Sequence, residues 1–325
     1  MTDPHISIGI ALLALTIVIL GIGYYRAPKR APVPWWSWTG LVTIIASELL
    51  LFLPAPWVKT FFTPFVWTGY VFLADGLVES LGAKSFLRHS PREFLSLALW
   101  SIPLWLIFEG YNLRLDNWTY VGLPENPIVR GTGYAWSFAT IWPAIFETAA
   151  LVRALGGFPK KGIPRRPLSN SSRGAIILGG LAFVAVPLLL PPSLGSYLFG
   201  AVWVGFILLL DPINDRWNGF SFLRSLERGE TSVLWSFLAA GWICGILWEF
   251  WNYWAGAKWL YIFPILQGWK IFEMPFVGYL GFLPFALECR VMFEFVRSFQ
   301  RKILNRQPVP EKHSPEIGKL INARS

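Results

Sequence analysis

Long apolar stretches, several near the roughly 20 residues that cross a bilayer, constrain this chain more than anything else in it. Nine windows read as helices: about Ile6–Tyr25, Trp38–Leu53, Thr63–Leu81, Phe94–Glu109, Tyr134–Arg153, Gly174–Leu190, Tyr197–Asp211, Ser232–Trp251 and Pro275–Val296. Over half of the residues are hydrophobic and only 14% are charged, so a soluble fold is excluded. The connecting segments alternate in basic charge. Arg26, Lys29 and Arg30 follow the first window, Lys84, Arg88 and Arg92 the third, Lys160 to Arg173 the fifth, and Arg216, Arg224 and Arg228 the seventh. The intervening loops carry few basic residues. This alternation predicts an external N-terminus and a cytoplasmic C-terminus, and it assigns the net charge of +9 to topology rather than to nucleic acid.

The chain also aligns with itself. "FVWTGYVFLADGLVESLGAKSFLR" (65–88) matches "AVWVGFILLLDPINDRWNGFSFLR" (201–224) without a gap, which pairs Trp67 with Trp203 and Asp75 with Asp211. Small gaps then pair Glu109 with Glu249, Asn112 with Asn252, Trp118 with Trp259, Tyr120 with Tyr261 and Glu147 with Glu288. The expected fold is therefore all-α and polytopic, a tandem parallel repeat of four-helix units behind one extra helix. The expected parts are an N-terminal transmembrane anchor and basic loop (1–37), repeat 1 (38–153), a cytoplasmic linker (154–173), repeat 2 (174–298) and a basic cytoplasmic tail (299–325).

Carboxylates inside apolar segments are costly and usually mark a site. Glu249 lies in "GILWEFWNYW" and Glu109 in "FEGYN". Each either meets Lys258 or Arg114 at the outer surface or points into the bundle as a protonated donor. Glu147 and Glu288, late in the last helix of each half, either pair with Arg153 and Arg290 or belong to the site. Asp75/Glu79 and Asp211/Asp215 have i, i+4 spacing, which places each pair on one helix face. They terminate helices and pair with arginines, or they hold Mg²⁺ and a diphosphate. Glu48 has Val184 as its counterpart and reads as a hydrogen-bond partner. Trp35, Trp36, Trp38 and Trp57 fit an interfacial aromatic belt. Trp235, Trp242, Trp248, Trp251 and Trp254 recur on few helix faces, as packing or as the wall of a cavity that stabilises a cation. The scattered His5, His89 and His313, with Cys244 and Cys289, suggest no metal site or disulfide.

The order "FSFLRSLERG", Trp248-Glu249, "KWLYIFP" and "GWKIFEMP" followed by a last helix resembles the carotenoid lycopene cyclase domain of the small integral-membrane type, over about 60–153 and 197–298. The resemblance implies redox-neutral cyclisation of a polyene, an isomerase-type reaction that needs no cofactor. In it an un-ionised carboxylic acid protonates an alkene and a base later removes a proton. It implies Glu249, Glu109, Glu288, Glu147 and Glu273 as catalytic candidates, and Asn112, Asn252, Trp248, Trp251, Trp259 and Tyr261 as substrate-binding ones. The expected partners are the bilayer and a hydrophobic isoprenoid or lipid. Departures are plain: in "EMPFVGY" (273–279) Glu273 precedes the proline where the family has paired glutamates after it, and the first half has only "RGTGYAW" (130–136). A Mg²⁺-dependent prenyltransferase and a non-enzymatic lipid-binding or transport protein are the competing expectations.

Overall fold

The computed structural model describes residues 5–28, 30–53, 56–159 and 162–303. Lys29, Lys160, Lys161 and the tail from residue 304 onward, expected to be basic and cytoplasmic, lie outside the described residues. The chain is an all-α polytopic bundle. Its long helices are α1 (Ile6–Arg26), α2 (Trp35–Leu50), α3 (Pro56–Ser80), α5 (Pro91–Leu115), α6 (Pro127–Ala154), α7 (Asn170–Leu189), α9 (Phe199–Arg216), α11 (Ser232–Trp254) and α12 (Phe282–Ile303). Short helices α4 (Phe86–His89), α8 (Pro192–Gly195) and α10 (Phe222–Glu227) lie between them.

Eight helical segments among the described residues are long and apolar enough to cross a membrane. The expected second span is the exception: α2 has 16 residues and starts three residues earlier than expected, at Trp35. At 1.5 Å per residue it rises about 24 Å, short of a full hydrocarbon core. It lies along α3, where Gly40 and Gly69 remove the side chains that would hold the backbones apart. A Cβ at Gly69 would come within 2.8 Å of the Gly40 carbonyl oxygen, the small-residue contact that lets membrane helices approach closely. Helix α7 packs on α9 in a similar way through Gly180 and Gly205. Helix α1 is mostly exposed and touches chiefly α11. Phe272 anchors it, with its ring seated on Gly9.

The core lies where α3, α6, α11 and α12 meet. One end of the bundle gathers the arginine-rich turns. There Arg173 pairs with Asp215 and Glu227, Arg224 with Asp215, Arg88 with Glu79, and Arg297 with Glu93. The described part of the linker lies against α10, with Gly162 N donating to Gly229 O at 2.6 Å and Leu168 N to Glu227 Oε1 at 2.9 Å.

The opposite end holds a feature that the sequence reading lacked. β1 (Trp118–Val121) pairs with β2 (Lys258–Tyr261) as an antiparallel ribbon, in the register Trp118↔Tyr261, Thr119↔Leu260, Tyr120↔Trp259 and Val121↔Lys258. A second ribbon joins β3 (Lys270–Ile271) to β4 (Met274–Pro275). Gly122 closes β1 at φ +68°, with the Gly256 carbonyl occupying the place of a side chain.

Gly69→Leu is expected to force α2 off α3 and lower stability by about 1–3 kcal/mol. Thermal unfolding of the purified variant in detergent, compared with wild type, measures this.

Candidate functional site

The residues after α5 and α11 are held by asparagines that act as backbone substitutes. Asn252 Nδ2 donates to Trp259 O at 2.9 Å, and Trp259 N donates to Asn252 Oδ1 at 3.0 Å. Asn112 does the same for Trp118, at 2.8 and 3.0 Å, and also accepts from Asn117 N at 2.8 Å. Each amide thus satisfies both backbone groups of the strand's aromatic residue, as a further strand would. These two asparagines were expected to bind substrate. In the structure they fix the ribbon that carries Trp118, Tyr120, Trp259 and Tyr261.

Those four side chains face a partly open cavity of about 540 Å³. Trp67 of α3, Trp105 of α5, Phe138 of α6, Trp203 of α9, Trp248 of α11 and Phe285 of α12 complete a largely apolar, aromatic wall. Trp67 anchors the cluster, with ring centroids 4.9 Å from Trp248 and 5.4 Å from Tyr70. The volume is in the range of small-molecule sites. The indole faces can attract a developing positive charge.

The expected acids stand one layer behind this wall. Tyr261, on the wall, donates its hydroxyl to Glu249 Oε1 at 2.9 Å and accepts from Trp259 Nε1 at 2.8 Å. Glu249 is fully buried, and its Oε2 has no hydrogen-bond partner among the described residues. Tyr120, also on the wall, donates to Glu109 Oε1 at 2.6 Å, and Trp105 Nε1 donates to the same oxygen at 2.9 Å. Glu109 is half-buried. Neither acid meets Lys258 or Arg114: Lys258 pairs with Glu273 at 2.6 Å, and Arg114 donates to Leu190 O at 3.1 Å. Burial first, and then the neighbouring glutamate, push the phenols of Tyr120 and Tyr261 well above the usual tyrosine range. Both hydroxyls therefore stay protonated at neutral pH and can pass a proton only by taking another.

The remaining candidates lie elsewhere. Glu147 and Glu288 are fully buried, and none of their carboxyl oxygens has a hydrogen-bond partner among the described residues. Arg153 is six residues beyond Glu147, a rise of about 9 Å along the helix, and donates to Ser232 Oγ at 2.9 Å. Arg290 is two residues beyond Glu288, on another face, and pairs with Glu294 at 3.1 Å. Glu147 faces Asp75. Trp251 leaves the cavity to donate to Glu48 Oε1 at 2.9 Å, the hydrogen-bond role read for Glu48. Trp36 turns away from the aromatic belt and donates to Asp75 Oδ1 at 2.9 Å, while Trp35, Trp38 and Trp57 are exposed.

Asp75 and Asp211 act as caps. Asp75 Oδ2 accepts from Leu87 N at 2.9 Å. Asp211 accepts from Phe222 N at 2.7 Å, Leu223 N at 2.9 Å and Ser221 Oγ at 2.7 Å. Each carboxylate thus satisfies N–H groups at the start of α4 or α10. Glu79 and Asp215 are engaged by Arg88, and by Arg173 with Arg224. The i, i+4 carboxylates are therefore engaged in capping and ion pairs. No cluster of three or more His, Cys, Asp or Glu residues able to hold a metal occurs among the described residues.

Sequence reasoning missed Trp67, Trp105, Tyr120 and Phe285 as wall residues. Alternating aromatic and β-branched residues in "WTYV" were a strand signal that could have placed Tyr120. No family model, curated protein or solved structure matches the chain. Asn252→Leu is expected to leave the Trp259 backbone groups unpaired and to cost roughly 1–3 kcal/mol. Comparing its melting temperature with that of Asn252→Asp, which keeps the accepting oxygen, checks this.

Proposed function

We propose that the chain is an intramembrane enzyme of the isoprenoid cyclase type, acting on an apolar chain held in the aromatic cavity. The observation that carries this reading is the pair of glutamates, each hydrogen-bonded to a tyrosine hydroxyl on the wall of one cavity. For the first transfer the Tyr261–Glu249 hydrogen bond reverses: un-ionised Glu249 gives its proton to the Tyr261 oxygen as the Tyr261 hydroxyl, turned to the cavity, gives its own to a terminal alkene. A tertiary carbocation forms, an internal double bond attacks it, and a ring closes. Tyr120 then takes a proton from the adjacent carbon as it passes its own to ionised Glu109. One proton enters and one leaves, so the reaction is an isomerisation and needs no redox partner. The aromatic wall stabilises the cation and keeps away water that would trap it.

The resemblance to the lycopene cyclase domain supports the chemistry, and two matched halves support a site built from both. The ribbon's register fits that duplication: exchanging Trp118 with Trp259 and Tyr120 with Tyr261 returns the same pairs. The charge alternation supports an orientation with the ribbon end outside and the arginine-rich end in the cytoplasm. Reporter fusions after Arg166 and after Arg301 should both read cytoplasmic. An external reading for either one rejects the orientation.

Glu249→Gln keeps the volume and a hydrogen bond to Tyr261 but removes the acid. It should retain the fold and lower turnover by about 10²–10⁴-fold, with Tyr261→Phe similarly impaired. The assay is conversion of acyclic polyenes to ring-containing products by the purified protein. Wild-type activity in both variants would remove this pair from the mechanism. Saturable polyene binding with no cyclised product would leave a lipid-binding protein.

A further inference from the structure

Wall residues of the cavity that are also exposed mark its mouths. They are Arg130, near the start of α6, and Tyr197, Gly200 and Leu280. The last three gather at one seam. Tyr197, Gly200 and the half-buried Trp203 follow one another at three-residue spacing into α9, on one helix face. The Trp203 ring fills the place that a side chain on Gly281 would take, beside Leu280. Gly281 ends the 3-10 turn Phe276–Gly281 that leads into α12. A Cβ at Gly200 would meet nothing within 4 Å, so the seam is open there. Both of its sides belong to segments long and apolar enough to cross a membrane, Pro192–Arg216 and Phe276–Ile303.

The matching seam of the first half, between α3 and α6, is sealed. Trp136 lies across it, with ring centroids 4.8 Å from Phe65 and 6.3 Å from Phe61, and its Nε1 donates to Thr68 Oγ1 at 3.0 Å. The self-alignment sets Val277 against Trp136, Ala201 against Phe65 and Val204 against Thr68. The second half thus lacks the indole, one of the rings and the hydroxyl that anchors the indole. The Trp67 counterpart of Trp203 is fully buried, as is Pro64, the residue matched to Gly200. The remaining mouth, at Arg130, is charged. A hydrocarbon chain crosses it only beside a guanidinium, whereas the α9 seam offers apolar surface throughout.

We propose that the seam between α9 and the 3-10 turn before α12 is a lateral slot through which a long apolar chain passes from the bilayer into the cavity. Only one end of the chain is enclosed, and the rest stays in hydrocarbon. The proposal rests on the reading of the cavity as the substrate site and narrows the substrate to a chain longer than the cavity that reacts at its end. Trp203, seated on Gly281, is the side chain that such a chain passes. The slot suits a substrate dissolved in the membrane: its apolar surface never has to cross water, and exposed apolar wall residues meet lipid at no cost.

The test uses full-length protein in lipid nanodiscs and two conjugated polyene hydrocarbons, one of forty carbons and one of half that length. Binding is read by quenching of tryptophan fluorescence against mole fraction of probe in the lipid. Gly200→Phe places a ring in the open seam without a clash. It should raise the half-saturating fraction of the long probe at least about tenfold, the loss of roughly two buried methylene groups, and leave the short probe and the melting temperature unchanged. Val277→Trp, which copies the first-half seal, should act in the same direction. Arg130→Phe, at the other mouth, should change neither probe. Binding of the long probe unaltered by both seam variants, equal weakening of long and short probes, an equal effect of Arg130→Phe, or wild-type binding of the short probe alone overturns the proposal and leaves the cavity reading standing. Failure of both probes to quench wild type saturably rejects the cavity as a ligand site, and the proposal with it.

Discussion

The short ribbon between β1 and β2 is the contact on which the cavity depends. Eight residues, four from each half of the chain, tie the two halves at one end of the bundle. Strand edges are not tolerated in hydrocarbon unless their backbone groups are satisfied. Here each strand is paired on one side by the other and is held at its start by an asparagine of the preceding helix. With the outward backbone groups of Trp118 and Trp259 met by the asparagines, the side chains of the ribbon serve the cavity. Trp118 and Tyr120 in β1, and Trp259 and Tyr261 in β2, all contribute to its wall.

The other end of the bundle solves the same problem with charge. Short helices α4 and α10 begin with serines that accept from the N–H three residues on, at 3.3 and 3.2 Å. Asp75 and Asp211 complete those caps from the neighbouring long helices. A carboxylate buried beside several N–H donors is stabilised without a metal, since the donors supply the positive potential. The repeated "SFLR" tetrapeptide and the aspartate ten residues before its serine are thus one structural device written twice in the sequence.

Much of the bundle was legible because its signals are long. An apolar window of some twenty residues has few other readings, and the span count failed only at α2, where glycine contacts with α3 accompany a shorter helix. The acids were legible as a group because they recur in both halves. Their placement was not. Nothing in "WEFWN" says that Tyr261, twelve residues on, stands between Glu249 and the cavity. Of the two four-residue strands only "WTYV" carries a strand signal; "KWLY" has none that would separate it from a loop. Asn112 and Asn252 looked like polar residues at a site, and only the backbone geometry reveals them as clamps. Glu147 and Glu288 illustrate the opposite failure: proximity in sequence to Arg153 and Arg290 suggested ion pairs that helix geometry does not allow.

Sequence pairing makes Glu109 and Glu249 equivalents, yet their surroundings differ. Glu109 accepts from two donors, Tyr120 and Trp105, the latter one turn earlier on the same helix face. The residue one turn before Glu249 is Gly245, which offers no such donor. Phe282 fills the vacated space, so that a Cβ at Gly245 would meet Phe282 Cβ at 2.9 Å. An apolar ring thus stands where the first half has an indole N–H. Half-buried Glu109 therefore takes two hydrogen bonds, one from the ribbon and one from its own helix, while fully buried Glu249 takes one, from the ribbon alone. A single glycine-for-tryptophan difference between matched segments is enough to change the number of donors around a carboxylate that the ribbon otherwise holds in the same way in both halves.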